Sequence, residues 1–258
     1  MIITSRENKI FKEAMLLKTS KGRNEKKMFL LEGVRAVNDA LLKNAEISYI
    51  ITKEGTDFPD GKEVPHYTFA KKLFDEASET VSPQGVLAVC KKRETEFSDI
   101  IKRNKNCVIM CEALQDPGNI GTIIRTAHAA DCGGIVLTKG CCDLYNPKIV
   151  RATMTGLFSV PVVTDAESIP AIEYFRQAGY KIVAGALTDN SVDFYEADLS
   201  GKHLIIVGNE GQGVSEETLT LCDTVLKIPM ENSTESLNAA VAASIMIYEH
   251  YRQNRKIL

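Results

Sequence analysis

Residues 204–217 read LIIVGNEGQGVSEE, which predicts a buried strand, a glycine-rich loop and a helix that begins near Ser215. Gly208, Gly211 and Gly213 allow the loop backbone to approach a ligand closely, and exposed amides there can bind polar groups. No GK[ST] follows the loop and the GxGxxG spacing is absent, so it matches neither common phosphate-binding loop. The segment therefore predicts a ligand site that follows a strand of an α/β sheet.

The same strand–loop–helix pattern recurs through residues 106–258. Apolar strands are predicted at Val108–Cys111, Ile135–Leu137, Lys181–Ala184, Leu204–Val207 and Val225–Ile228. Helix-length patterns separate them, which indicates a parallel sheet covered by helices on both faces. Such sheets bind ligands in the loops at the carboxyl ends of their strands.

Residues 1–105 predict a second, smaller α/β domain, and two domains suit a chain of 258 residues. The predicted helices are Asn8–Leu17, Val34–Lys43 and Lys71–Ala77, and the predicted strands are Met28–Glu32, Ile47–Thr52, Val64–Thr68 and Gly85–Cys90. The charged stretch KKRETEFSDIIKRNK, residues 91–105, is predicted to be the linker, because it can bury little apolar surface.

A second informative segment, DPGNIGTIIRTAHAA at 116–130, directly follows the first strand of the larger domain. Its first four residues supply turn chemistry, so Arg125 is expected in the second turn of the helix that follows. Arginine is always charged and binds phosphate oxygens bidentately, so Arg125 suits a nucleic-acid or nucleotide substrate. A plain helix start with a surface arginine is the alternative.

A third segment, IPMENSTESLNAAVAAS at 228–244, predicts a strand end, a polar loop and a helix that begins near Ser236. Ser236 and Asn238 offer polar groups beside a ligand, and either Ser233 or Ser236 is a candidate N-cap. In the glycine-rich loop, Glu210 is unsuited to a phosphate because like charges would meet, so the loop favours a positive or neutral ligand.

Charge is unevenly distributed along the chain. The net charge is −3, yet residues 1–105 carry 20 basic and 16 acidic side chains, and residues 1–27 alone carry 8 and 3. This excess of basic residues in the amino-terminal part indicates either contacts with nucleic acid or a solvated charged face. Aromatic residues make up 7% and tryptophan is absent, so the sequence shows no platform for base stacking.

Several other classes of protein are not indicated. No apolar run approaches about 18 residues, and the amino terminus lacks the apolar stretch of a signal peptide, so neither a membrane partner nor export is expected. The seven cysteines form no CxxC pair, which argues against a disulfide framework or a zinc site and favours a cytoplasmic location. Cys107 and Cys111 are interpreted as core residues rather than metal ligands.

Together, NIGTIIRTA at 119–127, VGNEGQG at 207–213, and IPM followed by ESLN at 228–238 resemble the three signature motifs of the SpoU-type, or TrmH-type, RNA ribose methyltransferases. NPKIVRATMTGLFSVPV at 146–162 is also similar, although Thr153 and Thr155 stand where many relatives have serine and a smaller residue. FLLEGVRAV at 29–37 and SPQGVLAV at 82–89 make the front part resemble the L30e-like substrate-binding domain often fused to this family.

The resemblance implies an α/β fold with a deep trefoil knot at the carboxyl end, where an unknotted chain is the general expectation. It also implies a homodimer with the active site near the interface, S-adenosylmethionine as cofactor, and a ribose 2′-hydroxyl of 23S ribosomal RNA as the methyl acceptor. No metal is expected, because the spacing of the cysteines indicates no zinc site.

The resemblance assigns catalysis to Asn119, Arg125, Glu210, Ser236 and Asn238. It assigns cofactor binding to Leu187, Thr188, Gly208, Asn209, Glu210, Gly211, Ile228, Met230, Ser236, Leu237 and Asn238. Contacts with RNA phosphates are expected from Arg6, Lys9, Arg23, Lys26, Lys27, Arg35, Arg125 and Arg151. Arg125 acts either as the base or as a phosphate anchor and electrostatic stabiliser, and the second role is favoured because a guanidinium stays protonated in proteins.

Three alternatives stay open. A tRNA ribose methyltransferase would share the same motifs, and a non-catalytic RNA-binding or ribosome-assembly factor would share the fold. A non-catalytic factor would be expected to lose catalytic residues, and all five catalytic residues assigned above are present. A nucleotide-dependent oxidoreductase or kinase would need the phosphate-loop motifs that are missing here.

Overall fold

The computed structural model describes residues 2–58, 64–153, 156–231 and 236–255, and the chain divides into two compact units. The first unit consists of Met1–Arg93 and Tyr145–Phe158, and the second of Glu94–Leu144 and Ser159–Leu258. Compared with the sequence-based boundary at 105/106, residues 94–105 therefore group with the second unit and residues 145–158 with the first.

The described strands are β1 (Ile2–Ile3), β2 (Met28–Glu32), β3 (Ile47–Lys53), β4 (His66–Phe69), β5 (Val86–Lys91), β6 (Cys107–Cys111), β7 (Gly134–Thr138), β8 (Val162–Ala166), β9 (Lys181–Gly185), β10 (Val192–Asp193), β11 (His203–Val207) and β12 (Thr224–Lys227). The described α-helices are α1 (Lys9–Leu17), α2 (Ser20–Lys26), α3 (Val34–Leu42), α4 (Lys71–Ala77), α5 (Phe97–Lys102), α6 (Pro117–Ala129), α7 (Pro147–Ala152), α8 (Gly156–Ser159), α9 (Ser168–Gln177), α10 (Glu216–Thr220) and α11 (Ala239–Asn254).

The first unit contains a mixed five-stranded sheet in the order β1-β4-β3-β5-β2. β3 pairs in parallel with β4 and antiparallel with β5, which in turn pairs antiparallel with β2. Phe11, Phe69 and Phe74 anchor its apolar core. The three helices and four strands predicted here are present, β2 and α4 with the predicted ends and the others with ends shifted by one or two residues, whereas the very short β1 and the polar helix α2, SKGRNEK, were not predicted.

The second unit contains a seven-stranded parallel sheet in the order β10-β12-β9-β11-β6-β7-β8. The chain enters at β6, adds β7 and β8 on one side, and then crosses over to build the remaining strands on the other. The strand order therefore reverses between β6 and β11, and parallel sheets bind ligands at the carboxyl ends of strands beside such a reversal.

All five strands predicted for the second unit are present, but the sequence missed two. The apolar residues of β8 are interrupted by Thr164 and Asp165, and β10 has only two residues, so neither strand produces a clear apolar run. Helix α6, from the segment 116–130, packs against helix α11, from the segment 228–244, on one face of the sheet.

The predicted linker is not a structureless connection. It contains α5, in which the N-cap Glu96 and Asp99, the third helical residue, make a capping box, with each side chain bonded to the other residue's backbone. Ile100 is fully buried in the core of the second unit, and Phe97 packs against the same core. The prediction was wrong because three apolar side chains in a charged stretch suffice for one short amphipathic helix.

Within the described ranges, no helix combines the length and apolar character needed to cross a membrane. The trefoil knot that the resemblance implies stays a prediction.

Candidate active site

The helix that carries the first motif begins earlier than the sequence suggested. Asp116 is the N-cap of α6, where its side chain accepts a hydrogen bond from the backbone N–H of Asn119 at 2.9 Å, and Pro117 occupies the first helical position. Asn119 is therefore helical, and Arg125 lies in the third turn rather than the second.

The glycine-rich loop is held by Asn209. The backbone N–H groups of Asn209 and Gly213 each donate to the other residue's carbonyl at 2.9 Å. The Asn209 side-chain oxygen accepts from the Gly211 and Gln212 amides at 2.9 and 3.1 Å. Its amide nitrogen donates to the Ala113 carbonyl at 2.8 Å, which joins this loop to the loop after β6.

Gly208 is required at the point where this loop folds back on itself. A Cβ atom at Gly208 would lie 2.1 Å from the carbonyl carbon of Gly213 and 2.2 Å from the backbone nitrogen of Val214. Both are backbone atoms, so no side-chain rotation can relieve the overlap.

We therefore expect Gly208→Ala to lower the free energy of unfolding by about 1–3 kcal/mol, the usual cost of forcing extra volume into a packed region. Gly211→Ala is the matched control, because the nearest atom to its added Cβ would be the Asn209 side-chain oxygen at 3.6 Å. Urea denaturation of both variants measures the difference. Equal stability of the two variants would contradict the close approach at Gly208.

The third motif contributes the N-cap of α11. The Asn238 side-chain oxygen accepts from the Ala240 and Val241 amides at 3.0 and 3.2 Å. The predicted helix start near Ser236 is therefore corrected to Ala239, since Asn238 performs the capping that was expected of a serine. Ser233 lies outside the described residues.

A chain of side-chain hydrogen bonds joins the three motifs. The Asn238 amide donates to the Asn119 side-chain oxygen at 2.9 Å, and the Asn119 amide donates to Oε1 of Glu210 at 2.9 Å. Glu210 also accepts from the backbone N–H groups of Asp116 at 3.1 Å and Gln115 at 3.3 Å. Because Asn119 is only 6% exposed, it rigidly couples the other two side chains.

The environment keeps Glu210 ionised. Partial burial alone would raise its pKa, but the hydrogen bonds from Asn119 and from the surrounding backbone N–H groups outweigh this effect and hold the pKa below the ordinary value. The cluster thus presents a fixed negative charge at the carboxyl ends of β6 and β11.

The same residues lie in a recognised family region. Residues 106–248 match the SpoU rRNA Methylase family, which is more than half of the chain, and residues 8–88 match the MRM3-like substrate binding domain. The chain belongs to the SpoU rRNA methylase family.

Known SpoU proteins resemble the chain over nearly its whole length. The chain is 35% identical over 249 residues to the 23S rRNA (guanosine(2553)-2′-O)-methyltransferase RlmP of Bacillus subtilis, which covers 95% of this chain and 97% of RlmP. It is 31% identical over 263 residues to the 23S rRNA (uridine(2479)-2′-O)-methyltransferase of Streptomyces viridochromogenes, covering 97% and 92%. A crystal structure of an AdoMet-bound rRNA methyltransferase from Sinorhizobium meliloti superimposes with a TM-score of 0.88 at 28% identity, covering 99% of both chains.

Other SpoU motif side chains in the described residues are not bonded to the cluster of Glu210, Asn119 and Asn238. Arg125 is exposed on α6, and within the described residues its side chain makes no hydrogen bond or ion pair. Ser236 is also exposed and outside the hydrogen-bonded chain. Leu187 and Leu237 are 69% and 36% exposed, so two apolar side chains of the assigned cofactor set present surface to a ligand.

Sequence reasoning missed a buried carboxylate in this SpoU domain. Glu112, 8% exposed at the end of β6, accepts hydrogen bonds from the hydroxyls of Ser168, Ser215 and Thr218 and from the Ser215 amide, at distances between 2.6 and 3.0 Å. The available signal was a charged residue directly after the apolar run CVIMC. Glu112 fixes the start of α10 to the start of α9.

The structure corrects one of the expected RNA contacts. Arg23 is 3% exposed, and its guanidinium donates to the carbonyls of Leu17 and Lys18 at 3.1 and 2.9 Å, where it caps α1. Arg6 is exposed but forms an ion pair with Glu76. The other predicted cations of the first unit are exposed: Lys9, Lys26, Lys27, Arg35 and Arg151.

In the part of the chain that the structure describes, no group of three or more His, Cys, Asp or Glu side chains is arranged to hold a metal ion. Burial raises the pKa of the Cys111 thiol well above its ordinary value, so this cysteine stays protonated in the core.

Proposed function

We propose that the chain is an S-adenosylmethionine-dependent methyltransferase that modifies a ribose 2′-hydroxyl of 23S ribosomal RNA in the cytoplasm. The observation that carries the proposal is the hydrogen-bonded chain from Glu210 through Asn119 to Asn238, which places the three family motifs in one cluster. The names of the two relatives, both 23S rRNA 2′-O-methyltransferases, support the reaction and the RNA class.

The residues present fit the cofactor. The Gly208 backbone packs against the backbone of Gly213 and Val214, which fixes the shape of the loop, and Leu187 and Leu237 offer apolar surface. The ionised Glu210 suits the positive sulfonium of S-adenosylmethionine. When bound, the cofactor supplies the electrophilic methyl group. The further binding assignments, Thr188, Asn209, Gly211, Ile228 and Met230, belong to the same proposal.

The protein has to align a weak nucleophile and help to remove its proton. In our proposal, Arg125 binds the phosphate 3′ to the target ribose and stabilises the developing alkoxide with its positive charge. Asn119 and Asn238 hold the three motif segments together, and Ser236 contributes its exposed hydroxyl to the ribose or the cofactor. Arg125 does not act as the base, since a guanidinium stays charged in proteins.

RNA recognition is assigned to the first unit together with Arg125. The match to a substrate-binding domain over residues 8–88 supports this role, and so do the exposed side chains of Lys9, Lys26, Lys27 and Arg35. These cations would contact phosphates and so position the RNA without reading its sequence.

A homodimer with the knotted cofactor site near its interface completes the proposal. Val241, Tyr248 and Tyr251 share one side of α11 and are 49%, 49% and 40% exposed, which leaves an apolar surface available to a second copy. Seven free thiols agree with a cytoplasmic location.

Mapping of 2′-O-methyl sites in total RNA, from cells with and without the gene, tests the proposal. We expect one 23S site to disappear with the gene, and the purified protein to restore it in vitro only when S-adenosylmethionine is added. Loss of a tRNA site instead would overturn the rRNA assignment. An unchanged map, together with no thermal stabilisation by S-adenosylmethionine, would overturn the enzymatic function.

A further inference from the structure

A cavity of about 280 Å³ lies at the carboxyl edge of the seven-stranded sheet, beside the reversal of strand order. Its walls come from the ends of four strands or the loops after them, and include Glu112, Thr138, Lys139, Glu167, Ser168 and Gln212. The volume is slightly below the usual range for small-molecule pockets, which suits a single heterocycle rather than an extended ligand.

The charges in the walls are already compensated. Glu112 receives four hydrogen bonds from Ser168, Ser215 and Thr218, so it does not need a ligand as a partner. Lys139 forms an ion pair with Glu167. A phosphate would find no free cation among these wall residues and would lie near a buried carboxylate, so the cavity disfavours anions.

The Gln212 side chain is the open polar group of the cavity. It is exposed, and within the described residues only its backbone N–H, which donates to Asn209, takes part in a hydrogen bond. A primary amide offers two donors and an acceptor, which is the pattern that pairs with the edge of a nucleobase. The walls therefore fit a neutral planar ring with mixed donors and acceptors.

The cavity shares both of its central loops with the active site. Ala113 and Asn209, which line it, are hydrogen-bonded to each other, and Asn209 directly precedes Glu210. A ring held in the cavity would thus be attached to a ribose close to Asn119. The two 23S relatives are named for a guanosine and a uridine, so the target base differs between relatives that share the motifs.

We propose that this cavity receives the base of the nucleotide whose ribose is methylated, and that Gln212 contacts its hydrogen-bonding edge. This inference rests on the proposed function and adds a specificity-determining residue to it. Lys139 supports the base from the opposite loop, through its alkyl chain and its ion pair with Glu167.

Steady-state kinetics with an rRNA fragment that contains the mapped site tests the inference. We expect Gln212→Ala to raise KM for RNA about tenfold and Lys139→Met to raise it several-fold, because a base contact of this kind discriminates by about that factor. Both side chains are exposed, so the melting temperature should not change. Gln177→Ala is the matched control, since Gln177 is exposed at the far end of α9 and should leave KM unchanged.

A fragment with an abasic ribose at the methylated position separates this role from a general effect on the loop. With that RNA, Gln212→Ala should no longer change KM. The dissociation constant of each variant for S-adenosylmethionine, measured by calorimetry, should equal that of the unmodified protein. The inference is overturned if KM is unchanged in both variants, if the abasic RNA responds equally, or if cofactor affinity falls. If the unmodified protein methylates the fragment in these cases, the proposed function stands without the base pocket.

Discussion

Replacing Arg125 with lysine should lower kcat at least about 100-fold while leaving the affinity for S-adenosylmethionine unchanged. Loss of a single group that stabilises developing negative charge typically has an effect of this size. The lysine keeps the positive charge, but a compact ammonium cannot reproduce the bidentate geometry with which a guanidinium binds phosphate. Because the Arg125 side chain is exposed and makes no hydrogen bond with the described residues, the exchange should not affect folding.

The pH dependence of this variant distinguishes two roles for Arg125. If the side chain removed the proton of the 2′-hydroxyl, lysine, with an ordinary pKa of about 10.4, would be the better base, and activity would recover as the pH approached that value. An electrostatic anchor predicts no such recovery. Single-turnover rates from pH 7 to 10 measure the difference, with Arg93→Lys as a control at another exposed arginine. Near-normal turnover of Arg125→Lys at neutral pH would contradict the anchor role.

The sequence predicts the parallel sheet and the position of the site because both depend on short-range patterns. Apolar runs such as CVIMC and HLIIV are unambiguous buried strands, and a loop follows each of them at the same sheet edge. Elements with weak sequence patterns were not predicted. β10 has two residues, and α5 lies within a charged stretch where Ile100 alone is fully buried.

Side-chain partners were not predictable because they depend on contacts between distant residues. Arg23 has the sequence context of a surface cation, yet it turns inward to cap α1, since the chain reverses between α1 and α2. Similarly, Glu112 and Thr218 are more than 100 positions apart, and only the fold joins them. The motif assignments came from family resemblance, and the bonds from Asn119 to Glu210 and Asn238 supply a physical reason for grouping them.

Asn119→Asp provides the most direct test of that grouping. The Asn119 amide nitrogen donates to Glu210 while its oxygen accepts from Asn238, so the aspartate would place a second carboxylate oxygen against Oε1 of Glu210. We expect a loss of about 1–3 kcal/mol in the free energy of unfolding at pH 7, because a buried hydrogen bond is replaced by repulsion. Activity should fall together with stability.

The loss should depend on pH in a defined direction. Two adjacent carboxyls raise the pKa of one of them in the folded state, and the protonated form can donate the missing hydrogen bond. Stability is therefore regained at low pH and lost as the pH rises through the raised pKa. Denaturation curves between pH 5 and 8 should show the deficit growing with pH. Asn8→Asp is the matched control, since the Asn8 oxygen only accepts a hydrogen bond, at the N-cap of α1.

Combining Asn119→Asp with Glu210→Gln exchanges the acid and the amide between the two positions. The glutamine amide can then donate to the new carboxylate, which still accepts from Asn238, at the cost of the hydrogen bond that Oε1 of Glu210 accepts from the Asp116 N–H. We expect the double variant to be more stable than the sum of the single changes predicts, and its pH-dependent deficit to disappear. Additive effects would mean that Asn119 and Glu210 do not interact. The hydrogen-bonded link between the motifs, on which the assignment of the active site depends, would then be wrong.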